Sequence, residues 1–389
     1  MDQEIVRKII SLRHLLHQHP ELSMQEVQTK GILMEFLREH TSLELVDRGS
    51  WFYAVKRAER ELAETGSAAR MQAERNLMEK PERIAFRADM DALPMEESID
   101  LPYASQNPGV SHKCGHDGHM AALCGLAMEL DRRNLAKTVY LIFQPGEEIG
   151  AGALICKDLL QEEGISEIYA FHNLSGYPEG TVLYHPDTTQ PASAGLIIRL
   201  TGQTSHAAEP EKGNNPAPTI AAIILDAEDW TGREREHLLF CTVTGVRVGA
   251  GDFGISPGDG ELRMTLRSDA EPKMKELEHH IVEFAGRRAG EVGLQMECEI
   301  RDYFPETRNH AECLEKVRRA ASQAGVPFMK MDSLWRPSED FGYYLKECPG
   351  ALFYVGNGTD HPAVHTDAYD FNDEILEPAV DVFLQIAME

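Results

Sequence analysis

The sequence predicts an α/β protein of two domains, a sandwich with a central sheet interrupted by a smaller unit of βαββαβ pattern. Three observations lead there. The chain has 389 residues, too many for one compact core. Apolar, strand-like runs alternate with amphipathic helical stretches up to about residue 190 and again after 303. Between about 193 and 303 the order changes to strand, helix, strand, strand, helix, strand, which marks this stretch as an insertion into the first domain.

The elements follow in order. Ile5, Ile9, Leu12 and Leu16 recur at helical spacing on one face of an opening helix, and residues 27–38 fit a second. Strands are expected at 83–87, 138–144, 167–171 and 351–355. Within the insertion, strands at 196–201, 238–248, 261–267 and 294–302 accompany helices at 217–230 and 274–289. The expected domains are therefore 1–190 with 304–389, and 191–303. Residues 56–82 are charged and alanine-rich and read as a solvated helical insert.

Composition narrows the partners. With 38 basic and 64 acidic side chains the formal charge is −26, which repels phosphate backbones and anionic lipid headgroups and argues against nucleic acid and membrane partners. No run of about 18 apolar residues suggests a membrane span. Seven cysteines at irregular spacing do not form a disulfide framework, so a reducing, cytoplasmic setting is expected.

The chemistry-bearing residues gather where strands should end. Glu147 and Glu148 follow the 138–144 strand through Pro145 and Gly146, His172 follows 167–171, and Asp89 and Asp91 follow 83–87. That is the sheet edge at which open α/β sheets build sites. Cys114 and His116, flanked by glycines ahead of an apolar helix, form half of a metal site. The same run also reads as a helix start with Asp117 as cap and Cys114 as a small buried hydrophobe. Two adjacent glutamates must differ in role or repel one another; one on a metal and one beside the water it activates resolves the conflict, and a solvated acidic turn is the alternative. His172 equally fits a core histidine, His206 a surface-loop histidine, and His361 and His365 an ordinary glycine-rich loop. Arg267, at the end of an inserted-domain strand, is a candidate cation for a substrate carboxylate, against an ordinary exposed arginine.

Taken together, HQHPEL at 17–22, RADMDAL at 87–93, CGHDGH at 114–119, FQPGEE at 143–148, SHAAEP at 205–210, SEDF at 338–341 and the segment 365–371 span nearly the whole chain. On these segments the chain resembles the metal-dependent amidohydrolase and metallopeptidase family of aminoacylases, hippurate hydrolases, indole-acetyl-amino-acid hydrolases and aminobenzoyl-glutamate hydrolase. The resemblance implies a catalytic α/β domain with an inserted ferredoxin-like lid and dimerisation domain, and a homodimer formed through it. It implies two divalent ions, zinc or manganese first and cobalt or nickel as substitutes, bridged by Cys114 and completed by Glu148 with His365 and by His116 with His172. Glu147 would be the general base, Asp89 would orient a ligand, and His206 would stabilise the oxyanion. His17, His19 and His119 would be structural. The implied substrate is a small N-acyl or N-aroyl amino acid.

The chain departs from the pattern in three places. Gly254, Ile255, Ser256 and Pro257 stand where many relatives carry an Asn before Val-Ile-Pro; Thr366 and Asp367 replace Ser-Pro after His365; and the 56–82 insert is absent from shorter members. Two rival readings compete. Cys114 activated by His116 would be a metal-independent thiol amidase, which chelation would spare. A non-catalytic binding protein on the same fold would have no use for Glu147 beside a full ligand set.

Overall fold

A computed structural model describes residues 1–64 and 81–389, so most of the 56–82 insert lies outside the described residues. The chain divides into two compact units. One comprises Met1–Thr189, Arg308–Leu334 and Asp340–Glu389; the other comprises Gln190–Thr307 and Trp335–Glu339. In chain order the strands are β1 (Glu44–Asp47), β2 (Phe52–Lys56), β3 (Arg83–Asp89), β4 (Thr138–Gln144), β5 (Glu167–Ser175), β6 (Val182–Tyr184), β7 (Thr188–Gln190) and β8 (Ala192–Thr201). They continue with β9 (Ser205–His206), β10 (Leu239–Val248), β11 (Ile255–Ser256), β12 (Asp259–Ser268), β13 (Gln295–Phe304), β14 (Thr307–Arg308), β15 (Phe328–Lys330) and β16 (Gly350–Gly358).

The first unit is built on an eight-stranded sheet of order β1-β2-β4-β3-β5-β16-β6-β15. Its centre is parallel, with β3 between β4 and β5 and β16 beside β5. The central strands therefore end at one edge, where ligands are released. β4 is buried at every position, which explains why it reads as an unbroken apolar run instead of an alternating one. The helix His116–Asp131 is buried from His116 to Leu130, and its apolar stretch from Met120 to Cys124 and from Leu126 to Met128 enters the core. Ile5, Ile9, Leu12 and Leu16 of the helix Gln3–Gln18 enter the same core.

Several strands run further than periodicity indicates, among them β3, β5 and β16. β3 reaches Asp89, so that residue closes the strand instead of following it. β5 continues to Ser175 because β16 pairs with it that far, which places His172 inside the strand. β1, β2, β6 and β15 carry no sequence mark. They have three to five residues each and exist through pairing with neighbours.

The second unit has a four-stranded antiparallel sheet of order β10-β12-β8-β13, the arrangement of a βαββαβ unit. Leu262, Met264 and Leu266 of β12 face a core shared with Ile220, Ile223, Met274, Leu277 and Ile281 from its two helices. The alternate residues Arg263, Thr265 and Arg267 are less buried and face away from that core. The segment Trp335–Glu339, which the pattern assigned to the first domain, belongs here. Ser338 Oγ donates to Pro191 O at 2.9 Å and accepts from Arg267 Nη1 at 2.7 Å. Such long-range polar contacts leave no local sequence mark. Among the described residues no helix is long and apolar enough to cross a membrane.

The core tolerates little change near the site. A Cβ added to Gly118 would lie 2.2 Å from Phe371 Cε2 and 2.3 Å from Cζ. Gly118→Ala is expected to destabilise the protein by about 1–3 kcal/mol through overpacking, read as a lowered urea midpoint with an unchanged m-value.

Candidate metal centre

Cys114 immediately precedes the core helix, and Gly115 turns the chain into it with φ +100°. A side chain there is excluded on two grounds: left-handed backbone, and a Cβ that would lie 2.4 Å from Asn173 Oδ1 and 2.6 Å from Tyr369 Oη. β5 supplies His172, the turn after β4 supplies Glu147 and Glu148, and the loop after β16 supplies His365 at φ +60°.

These side chains converge within the first unit. Cys114 Sγ lies 3.4 Å from His172 Nε2 and 3.3 Å from His365 Nε2. Glu148 Oε1 lies 3.5 Å from His365 Nε2 and 3.8 Å from His116 Nε2. Ligand atoms of Cys114, His116 and His172 lie within 4.8 Å of one another, as do those of Cys114, Glu148 and His365 and those of His116, Glu147 and Glu148. His361 sits apart, near Ser175 Oγ and the carbonyl of Pro362.

The donor set fits a pair of cations. His116 Nδ1 meets the carbonyl of Asp91 at 2.9 Å and His172 Nδ1 that of Asn173 at 2.8 Å. A carbonyl only accepts, so each Nδ1 carries a hydrogen and faces away, leaving Nε2 of each ring turned to the cluster. Among the described residues, His116 Nε2 and Glu148 Oε1 are buried without a hydrogen-bond partner. Burial, followed by the charges of Glu148, Glu147 and Asp89, pushes the Cys114 thiol well above its ordinary range. Without cations among these carboxylates a thiolate is disfavoured, the opposite of what a thiol nucleophile requires.

The neighbouring polar groups hold this geometry. Asp89 is fully buried; burial opposes its charge, but His116, Arg87 and His119 outweigh it and hold the carboxyl well below the usual range. Its close contacts are His119 Nδ1 at 2.6 Å and Arg87 Nη1 at 2.7 Å, and His116 Nε2 is at 3.6 Å. The far nitrogen of His116 is instead held by Asp91, whose carboxylate also lies 3.3 Å from it. His119 has both nitrogens engaged, the second with Asn173 Oδ1 at 2.7 Å. Beneath them lies a buried network. His17 joins Asp117 and Glu97 at 2.8 Å each, Arg13 reaches Asp117, Asp370 and Asp373, and Lys113 donates to Glu97 and to Tyr369 O. The backbone of His365 adds a hydrogen bond to Lys113 O at 2.7 Å.

His206 and Arg267 belong to the second unit. His206 is exposed on β9, opposite Ile255 of β11, with Nδ1 accepting from Ala208 N. Arg267 Nη1 donates to Arg336 O and Ser338 Oγ, and burial alone lowers its pKa; among the described residues no carboxylate pairs with it.

Residues 85–389 match the model of peptidase family M20/M25/M40. The chain belongs to that family. It is 31% identical over 391 residues to the N-acetylcysteine deacetylase of Bacillus subtilis (strain 168), covering 100% of this chain and 98% of that protein. It is 26% identical to the N-acetyldiaminopimelate deacetylase of Exiguobacterium sibiricum, covering 94% of this chain and 95% of the relative. The solved Bacillus subtilis YXEP protein, a dinuclear metal binding peptidase from the M20 family, superposes with a TM-score of 0.81 at 27% identity, covering 100% of this chain and 98% of that one.

Some members of the centre escaped sequence reasoning. Asn173 and Tyr369 join each other and the Cys114 loop through hydrogen bonds of 2.7 Å and 3.1 Å. Nothing local distinguishes an asparagine after a candidate ligand. The opening motif did place His17, and its chemistry has a measurable consequence. Burial opposes its charge, but hydrogen bonds to Asp117 and Glu97 prevail and push the imidazole up from 6.5 to about 9. A folded-state value above the unfolded one stabilises fully below pH 6.5 and is lost as pH rises through about 9. The stability gap between the wild type and His17→Asn is expected to shrink by up to about 3 kcal/mol over that window, measured by urea denaturation.

Proposed function

We propose that this chain is a two-metal amidohydrolase that cleaves the amide bond of an N-acyl or N-aroyl amino acid, releasing a carboxylic acid and an amino acid. One observation carries the reading: the meeting of Cys114 with buried His116 and His172 on one side and with Glu148 and the more exposed His365 on the other. In this reading Cys114, His116, His172, Glu148 and His365 would hold two divalent ions. When bound, the ions would polarise the scissile carbonyl and acidify the attacking water. Zinc or manganese suits this mix of sulfur, nitrogen and oxygen donors, with cobalt or nickel as substitutes.

The chain's own residues do the rest. Glu147 is 5% exposed, with Oε1 3.4 Å from the backbone N–H of Asp340 and Oε2 3.9 Å from His116 Nε2. From there it takes the proton of the attacking water and returns it to the leaving nitrogen. Asp89 supports the histidine layer, and His206 donates to the developing oxyanion from the inserted domain. Arg267, whose partners are neutral oxygens, receives the free α-carboxylate of the substrate. A homodimer through the second unit belongs to the same reading; the edge strand β10 leaves Val243 and Val246 exposed. All seven cysteines are free, which suits a cytoplasmic location. The deacetylase relatives make N-acetyl amino acids, N-acetylcysteine first, the substrates to try.

Metal removal separates this reading from a thiol amidase. Chelation is expected to abolish hydrolysis of N-acetylcysteine, and zinc or manganese to restore it; activity that survives chelation would sink the two-metal mechanism. Glu147→Gln is expected to lower kcat by about 10²–10⁴-fold while elemental analysis still finds two ions per chain. Arg267→Met is expected to raise KM for N-acetyl amino acids by about tenfold or more and to spare N-acetyl amines that lack the carboxylate.

A further inference from the structure

We infer that Glu26 is a positioning residue for Glu147: with Asp91, it clamps the backbone amides on both sides of the proposed base. The inference rests on the reading of the site given above. The turn after β4 runs Pro145, Gly146, Glu147, Glu148. Gly146 N donates to Glu26 Oε1 at 2.8 Å, and Glu148 N donates to Asp91 Oδ2 at 3.0 Å. The amides flanking that of Glu147 are thus both held by buried carboxylate oxygens from distant parts of the chain.

The clamp is a single piece. Glu26 Oε1 also accepts from Met24 N at 2.9 Å, and Asp91 Oδ2 also accepts from Ser23 Oγ at 2.7 Å. The two carboxylates are therefore linked through four consecutive residues, 23–26, in the loop between the first two helices. Met24 has φ +65°, a left-handed conformation that non-glycine residues rarely adopt. That conformation goes with a side chain set on the turn: a Cβ added to Gly146, itself at φ +59°, would lie 2.7 Å from Met24 Sδ.

The choice of glutamate is costly, which points to a use. Glu26 is 3% exposed, and burial followed by the charge of Asp91 pushes its carboxyl up to about 7. Among the described residues no cation pairs with it; its hydrogen bonds go to the backbone of the catalytic turn and of its own loop. A buried acid that gains no ion pair is a poor stabilising device. It is a good way to aim a turn, where a displacement of about 1 Å can cost about 10²-fold in rate.

Full-length Glu26→Leu and Glu26→Gln would be compared with the wild type, since the glutamine oxygen can still accept both amides. Two readouts are used: steady-state kinetics on N-acetylcysteine and the visible spectrum of the cobalt(II)-loaded protein. Glu26→Leu is expected to lower kcat by about ten- to a hundredfold with KM within about threefold, and to alter the cobalt bands as Glu148 shifts. Glu26→Gln should stay within about threefold of wild type with an unchanged spectrum. Wild-type kcat and cobalt bands in Glu26→Leu, equal impairment of both variants, or loss of the folded state in Glu26→Leu would each overturn the clamp. A wild-type enzyme inert towards every N-acyl amino acid would instead sink the proposed function, and the cobalt comparison would still decide the role of Glu26.

Discussion

Cys114 lies buried among Glu147, Glu148 and Asp89, and their mutual repulsion sets the terms for everything around it. Negative groups brought together out of water are unstable unless positive charge joins them. The structure answers with the imidazoles of His172 and His365, whose Nε2 atoms face the sulfur, a donor set that fits cations. The guanidinium groups are kept one layer away. Arg87 lies against Asp89 and Asp340, and Arg13 against Asp117, Asp370 and Asp373. Placed closer, such a cation would satisfy the ligands and leave nothing for a metal to do.

The fold makes this concentration of charge possible by distributing its supports. Parallel β3, β4 and β5 end at one edge, so that ligands far apart in the chain meet without any of them distorting a strand. The buried helix begins at the same place, and its N-terminal end favours the anionic groups there. The His365 loop is an irregular contributor, and its tethers are correspondingly numerous. Lys113 holds Tyr369 O, Asn173 holds Tyr369 Oη, and Tyr103 and Arg13 share Asp370. Rigidity is thus supplied by polar contacts where secondary structure cannot supply it.

The second unit is simpler. One face of its sheet is a closed core under two helices, and the other is lined by Arg263, Thr265 and Arg267 of β12. The loop around Gly254 is tied to the strand that carries His206, the Gly254 carbonyl accepting from Ala207 N.

By itself the sequence determined the α/β class, the βαββαβ pattern of the second unit and, through its motifs, the candidates that the structure brings together at Cys114. Long apolar runs such as β4, buried on both faces, carry that information locally, and so do glycine-flanked motifs such as the one at Cys114. Only the tertiary structure decided which partner serves which ligand. It gave the orientation of His116 to Asp91, carried His172 into the body of β5 and brought Trp335–Glu339 into the second unit. Those outcomes depend on hydrogen bonds and strand pairings between residues tens to hundreds of positions apart, and no local pattern records a bond whose partner lies elsewhere in the chain.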